Sequence, residues 1–504
     1  MKWAPFFHFY QPAEQQKDIL EAVVVECYRP LFKYFAENDN VKITINVGGS
    51  LLELFDKYKY YDLIDYLRVA AEKGHIEFTG SAKYHAFLPF LEPAEIERQI
   101  SINDETSRFF LGDVYKPKGF FPPEMAYTPE LPAILEKLGF SWMLLDEIAY
   151  NGKPDAVDYS KFYQIKDPSA DEAGSSIKVF FKERKVSNVL MSAVARTPDT
   201  FARILEKDLP KDKYLVTGMD GETFGHHRPG LELSLFELLS SSKFTFSKIS
   251  DLLNEKRPIE KFIPVLSTWA SSQDDIEKGI QYLSWSDPDN EIHKLQWQLL
   301  HLVFESVKKI SPTDTAYKKA RHLMDIATAS DHFWWASAKP WWSVEMIEDG
   351  AYKLMETVRA VPSVDAKILS EASKLYEAIV STAFEWQRSG KVREMANSQK
   401  TIVRIPFKER TVGKGGEEEG VYHAFIKMME DLEKKAASQT LYEEAILWRD
   451  AKYKLEHKLD IYDGIHAVDI LRTRIPHEEI EKTIEKYKEQ YRKMRGGQPE
   501  QRGA

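Results

Sequence analysis

The chain holds a single cysteine, Cys27, in 504 residues. That excludes an internal disulfide framework and leaves almost no room for a cysteine-based metal site. A thiol-poor chain of this kind suits a reducing compartment, and a cytoplasmic location is expected. No run of about 18 apolar residues occurs, so no membrane span is expected. The opening "MKWAPFFHFYQP" has one basic residue and a short apolar run ending at His8, without a long apolar core or a small-residue cleavage site, so it does not read as a signal peptide. Basic charge is in deficit: 69 Lys and Arg stand against 79 Asp and Glu, a formal net charge of −10. Binding nucleic acid over a large surface needs a basic face, and no nucleic-acid partner is expected.

Apolar residues are plentiful, at 43 % of the chain, enough for a sizeable core. The length suggests two or three domains, although an α/β barrel can absorb 250 or more residues as one. Eleven Trp and 24 Tyr are more than core filling usually demands. Most are assigned to the core; some are candidates for flat platforms on which sugar rings stack.

Short strand-like runs recur through the first 270 residues: "WAPFFHF" (3–9), "VKITINV" (41–47), "HIEFTG" (75–80), "KGFFPP" (118–123), "SWMLLD" (141–146), "KYLVTG" (213–218) and "KFIPVLST" (261–268). Helical patterns such as "PAEIERQISINDETSRFF" separate most of them. Alternation at this spacing predicts a parallel sheet of βαβ units, and about seven units in one stretch favour a closed or nearly closed barrel. The segment "IKVFFKERKVSNVLM" (177–191) reads as an inserted hairpin or an additional strand. Residues 1–290 are expected to form the barrel. From 291 to 407 apolar spacings of three and four predict a helical region. The Gly- and charge-rich stretch 408–420 reads as a linker or exposed loop. Residues 421–495 follow as a helical hairpin region, with Phe425, Met428, Leu432 and Ala436 on one stripe and Leu441, Ala445, Trp448, Leu455 and Leu459 on the next. Residues 496–504 read as a disordered tail.

Chemically capable residues sit at or just after the strand-like runs. In a barrel, the C-terminal strand ends form the active face. His8 and Gln11 lie at the end of the first run, Glu77 lies in the third, Glu124 follows the two prolines of the fourth, and Asp146 and Glu147 close the fifth. "TGMDGETFGHH" (217–227) places Asp220, Glu222, His226 and His227 among three glycines. Residue types alone leave two chemistries open there: metal ligation by histidines and carboxylates, or proton donation by a carboxyl group. A stiff carboxylate at Glu124 is equally compatible with a helix N-terminus. In "SDHFWWASAKPWW", Asp331 lies among four tryptophans, among them Trp334 and Trp335, which fits a sugar-stacking wall better than pure core.

Taken in order, "HFYQP", "GHIEFTGSAKYHAFLPFL", "GFFPPEMAYTPEL", "DGETFGHH" and "SDHFWWAS" resemble the ordered blocks of glycoside hydrolase family 57, over roughly residues 1–345. The resemblance implies an incomplete (β/α)7 barrel; the helical region and the C-terminal αα-hairpin that follow it are read from the apolar spacing. It implies a retaining enzyme on α-glucan or maltooligosaccharide, an α-amylase or 4-α-glucanotransferase type working through a covalent glycosyl-enzyme intermediate. Glu124 falls on the nucleophile and Asp220 on the general acid/base. His8, Gln11, Glu77, Glu222, His226, Asp331, Trp334 and Trp335 are expected to bind substrate, with no metal and no cofactor. Residues 432–459 resemble the UVR helical hairpin of nucleotide-excision repair proteins, and residues 421–460 are a candidate docking element for a protein partner. Two competing readings are a metal-dependent deacetylase- or mannosidase-type enzyme using Asp220 with the histidines, and a non-catalytic glucan-binding protein.

Overall fold

The computed structural model describes residues 1–166, 175–191, 195, 197–339, 341–398, 407–412, 417–460 and 467–494. The tail expected at 496–504 lies outside them. Runs rich in aromatic and β-branched residues become strands, as their fit to a pleated surface dictates. β1 covers Lys2–Phe9, β2 Ile43–Val47, β3 Ile76–Gly80, β4 Gly119–Phe120, β5 Trp142–Asp146, β6 Phe162–Ile165, β7 Lys178–Lys182, β8 Tyr214–Asp220, β9 Thr245–Phe246 and β10 Ile259–Phe262. They hydrogen-bond in the order β10-β6-β7-β5-β4-β3-β2-β1-β8, with β9 beside β1. From β7 to β8 every neighbouring pair is parallel. The ends of this run meet without a ladder: the Glu183 N–H donates to the Val216 carbonyl at 2.8 Å and the Gly218 N–H to Ser187 Oγ at 3.1 Å. The result is an incomplete (β/α)7 barrel with a seam between β7 and β8.

Segment 177–191 is strand β7 followed by a helix, Arg184–Met191, and β7 belongs to the barrel itself. Its antiparallel partner β6 lies outside the parallel run and carries β10. The last expected strand is therefore not a barrel stave. It ends at Phe262, two residues before Pro264, which has no N–H to offer a ladder.

Alternation along the strands decides what faces inward. On β1, Ala4 and Phe6 join one apolar cluster while Trp3, Phe7 and Phe9 join another. On β8, Tyr214 and Val216 belong to the first, Leu215 and Met219 to the second. His8 and Asp220 continue the inward series at the C-terminal ends, where they are register partners.

The helices Glu291–Val307, Tyr317–Ala327, Val344–Arg359 and Ala366–Ser389 place Leu299, Val303, Leu354 and Ala383 in the same cluster as the barrel. The C-terminal helices have a cluster of their own, with Phe425, Met429, Trp448 and Leu455. The expected helical pair is present as Glu417–Ser438 and Tyr442–Glu456. Leu441 and Leu459, expected on its buried stripe, are exposed at the helix ends. The loop expected at 408–420 is helical at both described ends, Phe407–Thr411 and from Glu417 onward. Buried Phe407 and Thr411 anchor its first turn, which composition alone conceals. Among the described residues no helix is long and apolar enough to cross a membrane.

Candidate active site

The C-terminal strand ends open onto a cleft of about 530 Å³. His8, Tyr10, Gln11, His85, Glu124, Asp220, Glu222, His227, Trp269, Asp331, Trp334 and Trp335 are among its lining. Four of these are carboxyl groups, and burial pushes each above the usual carboxylate range.

Glu124 stands four residues beyond the end of β4. Pro122 and Pro123 deny the backbone two donors and stiffen the approach. Glu124 and Met125 then both take positive φ, 61° and 49°, where residues with a Cβ are rare. Backbone of this kind costs about 1–3 kcal/mol per residue and persists only where the surroundings enforce it. Here Trp269 supplies two contacts. Its N–H donates to the Glu124 carbonyl at 3.1 Å, and its indole Nε1 donates to Glu124 Oε2 at 2.7 Å. The other oxygen lies 3.7 Å from His85 Nδ1. Desolvation, then the charges of Asp220 and Asp331, raise Glu124 to about 8 against the Trp269 hydrogen bond.

Asp220 ends β8 and accepts no hydrogen bond from any described residue. Desolvation lifts it to about 6, opposed by the Lys182 ammonium. Two residues on, Glu222 accepts from the Tyr28 hydroxyl and from the Tyr10 N–H. Desolvation and the Asp220 charge raise Glu222 to about 8. The turn after it requires glycine: Gly225 has φ 107°, and a Cβ there would stand 2.0 Å from the Glu26 carbonyl oxygen. Across the cleft the Tyr10 hydroxyl donates to Asp331 at 2.7 Å. Asp331 is raised to about 6, chiefly by desolvation.

The histidines form a neutral chain. His8 Nδ1 lies 2.9 Å from Asn46 Oδ1, and His8 Nε2 lies 3.2 Å from His85 Nε2. Asn46 donates its amide to the Thr79 carbonyl, which leaves Oδ1 as the acceptor. This network puts the His8 proton on Nδ1, so His85 donates through Nε2 and accepts from Ser330 Oγ at 2.9 Å. Burial depresses both rings, His8 to about 4.

Two expected residues are not in the cleft. Glu77 faces inward but lies lower on β3, beside Thr44 of β2, whereas His8 pairs with Asn46 two positions further along. It accepts from Thr44 Oγ1 at 2.7 Å and from the Ser250 N–H at 2.9 Å. His226 turns away to Glu26, 2.6 Å from its Nδ1, and His227 takes the place at the cleft. Asp220, His226 and His227 thus do not converge, and among the described residues no cluster of His, Cys, Asp or Glu could hold a metal ion. Sequence reasoning missed His85 and Trp269. Each follows a strand-like run, at 75–80 and 261–268, which is the signal that picked out Glu124.

Comparison with known proteins bears on this geometry. The model of "Glycosyl hydrolase family 57" matches residues 5–265. An α-amylase of Pyrococcus horikoshii is 23% identical over 314 residues, covering 60% of this chain and 45% of its own length. A 1,4-α-glucan branching enzyme of Thermococcus kodakarensis is 29% identical over 196 residues, 32% of this chain and 28% of its own. The chain thus spans less than half the length of these curated relatives. Among solved structures, the branching enzyme of Pyrococcus horikoshii aligns with TM-score 0.58 at 15% identity, covering 76% of this chain and 96% of that one. The 4-α-glucanotransferase of Thermococcus litoralis aligns with TM-score 0.54 at 18% identity, over 71% and 58%. At these identities the structural likeness speaks to the fold.

Proposed function

Because the chain belongs to glycosyl hydrolase family 57, we propose that it is a retaining enzyme acting on α-glucans, with Glu124 as nucleophile and Asp220 as general acid/base. The observation that carries this reading is the meeting of two carboxyl groups from β4 and β8 in one cleft, where the charge of Asp220 raises the proton affinity of Glu124. In the first step Glu124 attacks the anomeric carbon while Asp220 gives its proton to the departing glycosidic oxygen. In the second, Asp220 takes a proton from water or from a sugar hydroxyl, whose oxygen displaces Glu124. Water gives hydrolysis; a sugar hydroxyl gives transfer or branching. Neither step calls on a cofactor.

In the free protein desolvation raises both Glu124 and Asp220 above the usual carboxylate range. A bound glucan separates their roles. Positive charge developing at the anomeric carbon favours ionised Glu124, and a glycosidic oxygen beside Asp220 favours its neutral form. His8, Gln11, Glu222 and Asp331 would position hydroxyls, with Trp334 and Trp335 as stacking surfaces. The same reading places the protein in the cytoplasm, where buried Cys27 stays reduced. It also treats residues 421–460, with the UVR-like hairpin, as a docking element, supported by exposed Tyr442, Ile446 and Tyr453 on one helix; truncation at 420 with unchanged glucan turnover would separate that role from catalysis.

Azide rescue tests the roles. With an activated α-glucoside, Glu124→Ala should recover turnover and yield the β-glucosyl azide, and Asp220→Ala the α-glucosyl azide. Exchange of the two products would reverse the assignment. Product analysis on maltoheptaose and amylose then separates hydrolysis, disproportionation and branching, and no turnover of either by the wild type would sink the reading.

A further inference from the structure

Beneath the cleft lies a charge cluster that the two steps above do not use. Asp146 ends β5, is fully buried, and is the register partner of Lys182 at the end of β7. Its Oδ2 lies 3.1 Å from Lys182 Nζ and its Oδ1 2.5 Å from Arg184 Nε. The two cations go different ways. Lys182, itself buried, runs along the seam: a Cβ on Gly218 of β8 would stand 3.3 Å from its Cδ, and its ammonium lies 5.9 Å from the centroid of the Trp269 ring. Arg184 donates from Nη2 to the carbonyls of Trp269 at 3.2 Å and Ser271 at 2.8 Å. Trp269 in turn holds Glu124 through its indole and its main chain.

We propose that Asp146, Lys182 and Arg184 are positioning residues that act as one device on both carboxyls of the cleft. One buried carboxylate fixes a cation toward Asp220 and a second that clamps the loop presenting Trp269 to Glu124. A buried ion cluster is costly to assemble and seldom repays itself in stability, so its place at the barrel seam calls for a use. Three charges with a net of +1 stand under four cleft carboxyls. The groups facing Asp220 are Lys182 of β7, Glu124 after β4, Glu222 in the next turn, His8 of β1, and His85, His227 and Asp331 around the cleft. Of these, Lys182 is the cation that holds Asp220 down.

The inference rests on the roles given to Glu124 and Asp220, but its test does not need turnover. Protein carrying carboxyl-13C aspartate is titrated by NMR, with the Asp220 resonance identified by its loss in Asp220→Asn. Lys182→Met should move the Asp220 titration up by about one pH unit, the usual reach of a nearby opposite charge. Lys182→Arg should return it to the wild-type position. Where turnover is measurable, the pH profile of kcat/KM should shift with it. If Lys182→Met does not fold, Lys182→Gln, which keeps a hydrogen-bond donor for Asp146, carries the same expectation. An Asp220 titration unchanged in a folded Met or Gln variant would overturn the proposal. A wild type inactive on α-glucans would instead sink the functional reading and leave this titration to decide the cluster.

Discussion

Glu77 on β3 and Asp220 on β8 both point into the same barrel, and desolvation raises both. They differ in what meets their oxygens. Glu77 receives a hydroxyl and a main-chain N–H, and so ties β2 and β3 to the start of the helix Ile249–Leu252. Asp220 receives no donor and stands at the open end of its strand, beside a cation and another acid. A carboxyl below the cleft whose acceptors are filled in this way serves the strands it joins. One left unfilled at a strand end, at a cost the fold must carry, is available to a ligand.

The largest expected effect separates these two. Asp220→Asn should lower kcat on an unactivated glucan by about 10³-fold or more, the scale of a lost general acid/base, without loss of stability. Glu77→Ala should do the converse. Leaving Thr44 and the Ser250 N–H unpaired should cost about 1–3 kcal/mol in denaturant unfolding, while kcat stays within about threefold. Comparable activity losses in both variants would erase the distinction.

The same contrast shows what the sequence could disclose. Strand-like runs and the polar residues at their ends located the barrel and placed Glu124, Asp220 and His8 near one another, because strand alternation and the βαβ rule are local properties. Glu77 was misplaced because its height on the strand depends on where β3 begins relative to β2. His226 and His227 could not be told apart because the turn at Gly225 decides which imidazole reaches the cleft. Trp269 and His85 act through partners 145 residues away and 77 residues away. No window of sequence contains those pairs.

The cleft carboxyls also predict a pH dependence. Glu124 and Glu222 are raised to about 8 and Asp220 and Asp331 to about 6. Between about pH 7 and pH 8, where the buried histidines are largely neutral in both states, the folded state therefore holds more protons than the unfolded one. By linkage, stability falls as pH rises through that window. Thermal unfolding should show Tm dropping from pH 7 to pH 8. Glu124→Gln removes one such group and should flatten the slope and stabilise the protein at pH 8 by about 1 kcal/mol. A wild-type Tm that rises over this interval would show that the cleft carboxyls are ionised without cost.

The smallest effect discriminates neighbours. His226 is paired with Glu26 on the rim, an interaction worth about 1 kcal/mol or less where solvent screens it. His227 lines the cleft with its side chain open to solvent. His226→Ala should leave KM and kcat within about twofold of wild type. His227→Ala should raise KM with a smaller change in kcat, the signature of a contact made equally in ground and transition states. If His226→Ala has the larger effect, the turn at Gly225 presents the other imidazole when glucan binds, and the comparison between the two histidines would be reversed.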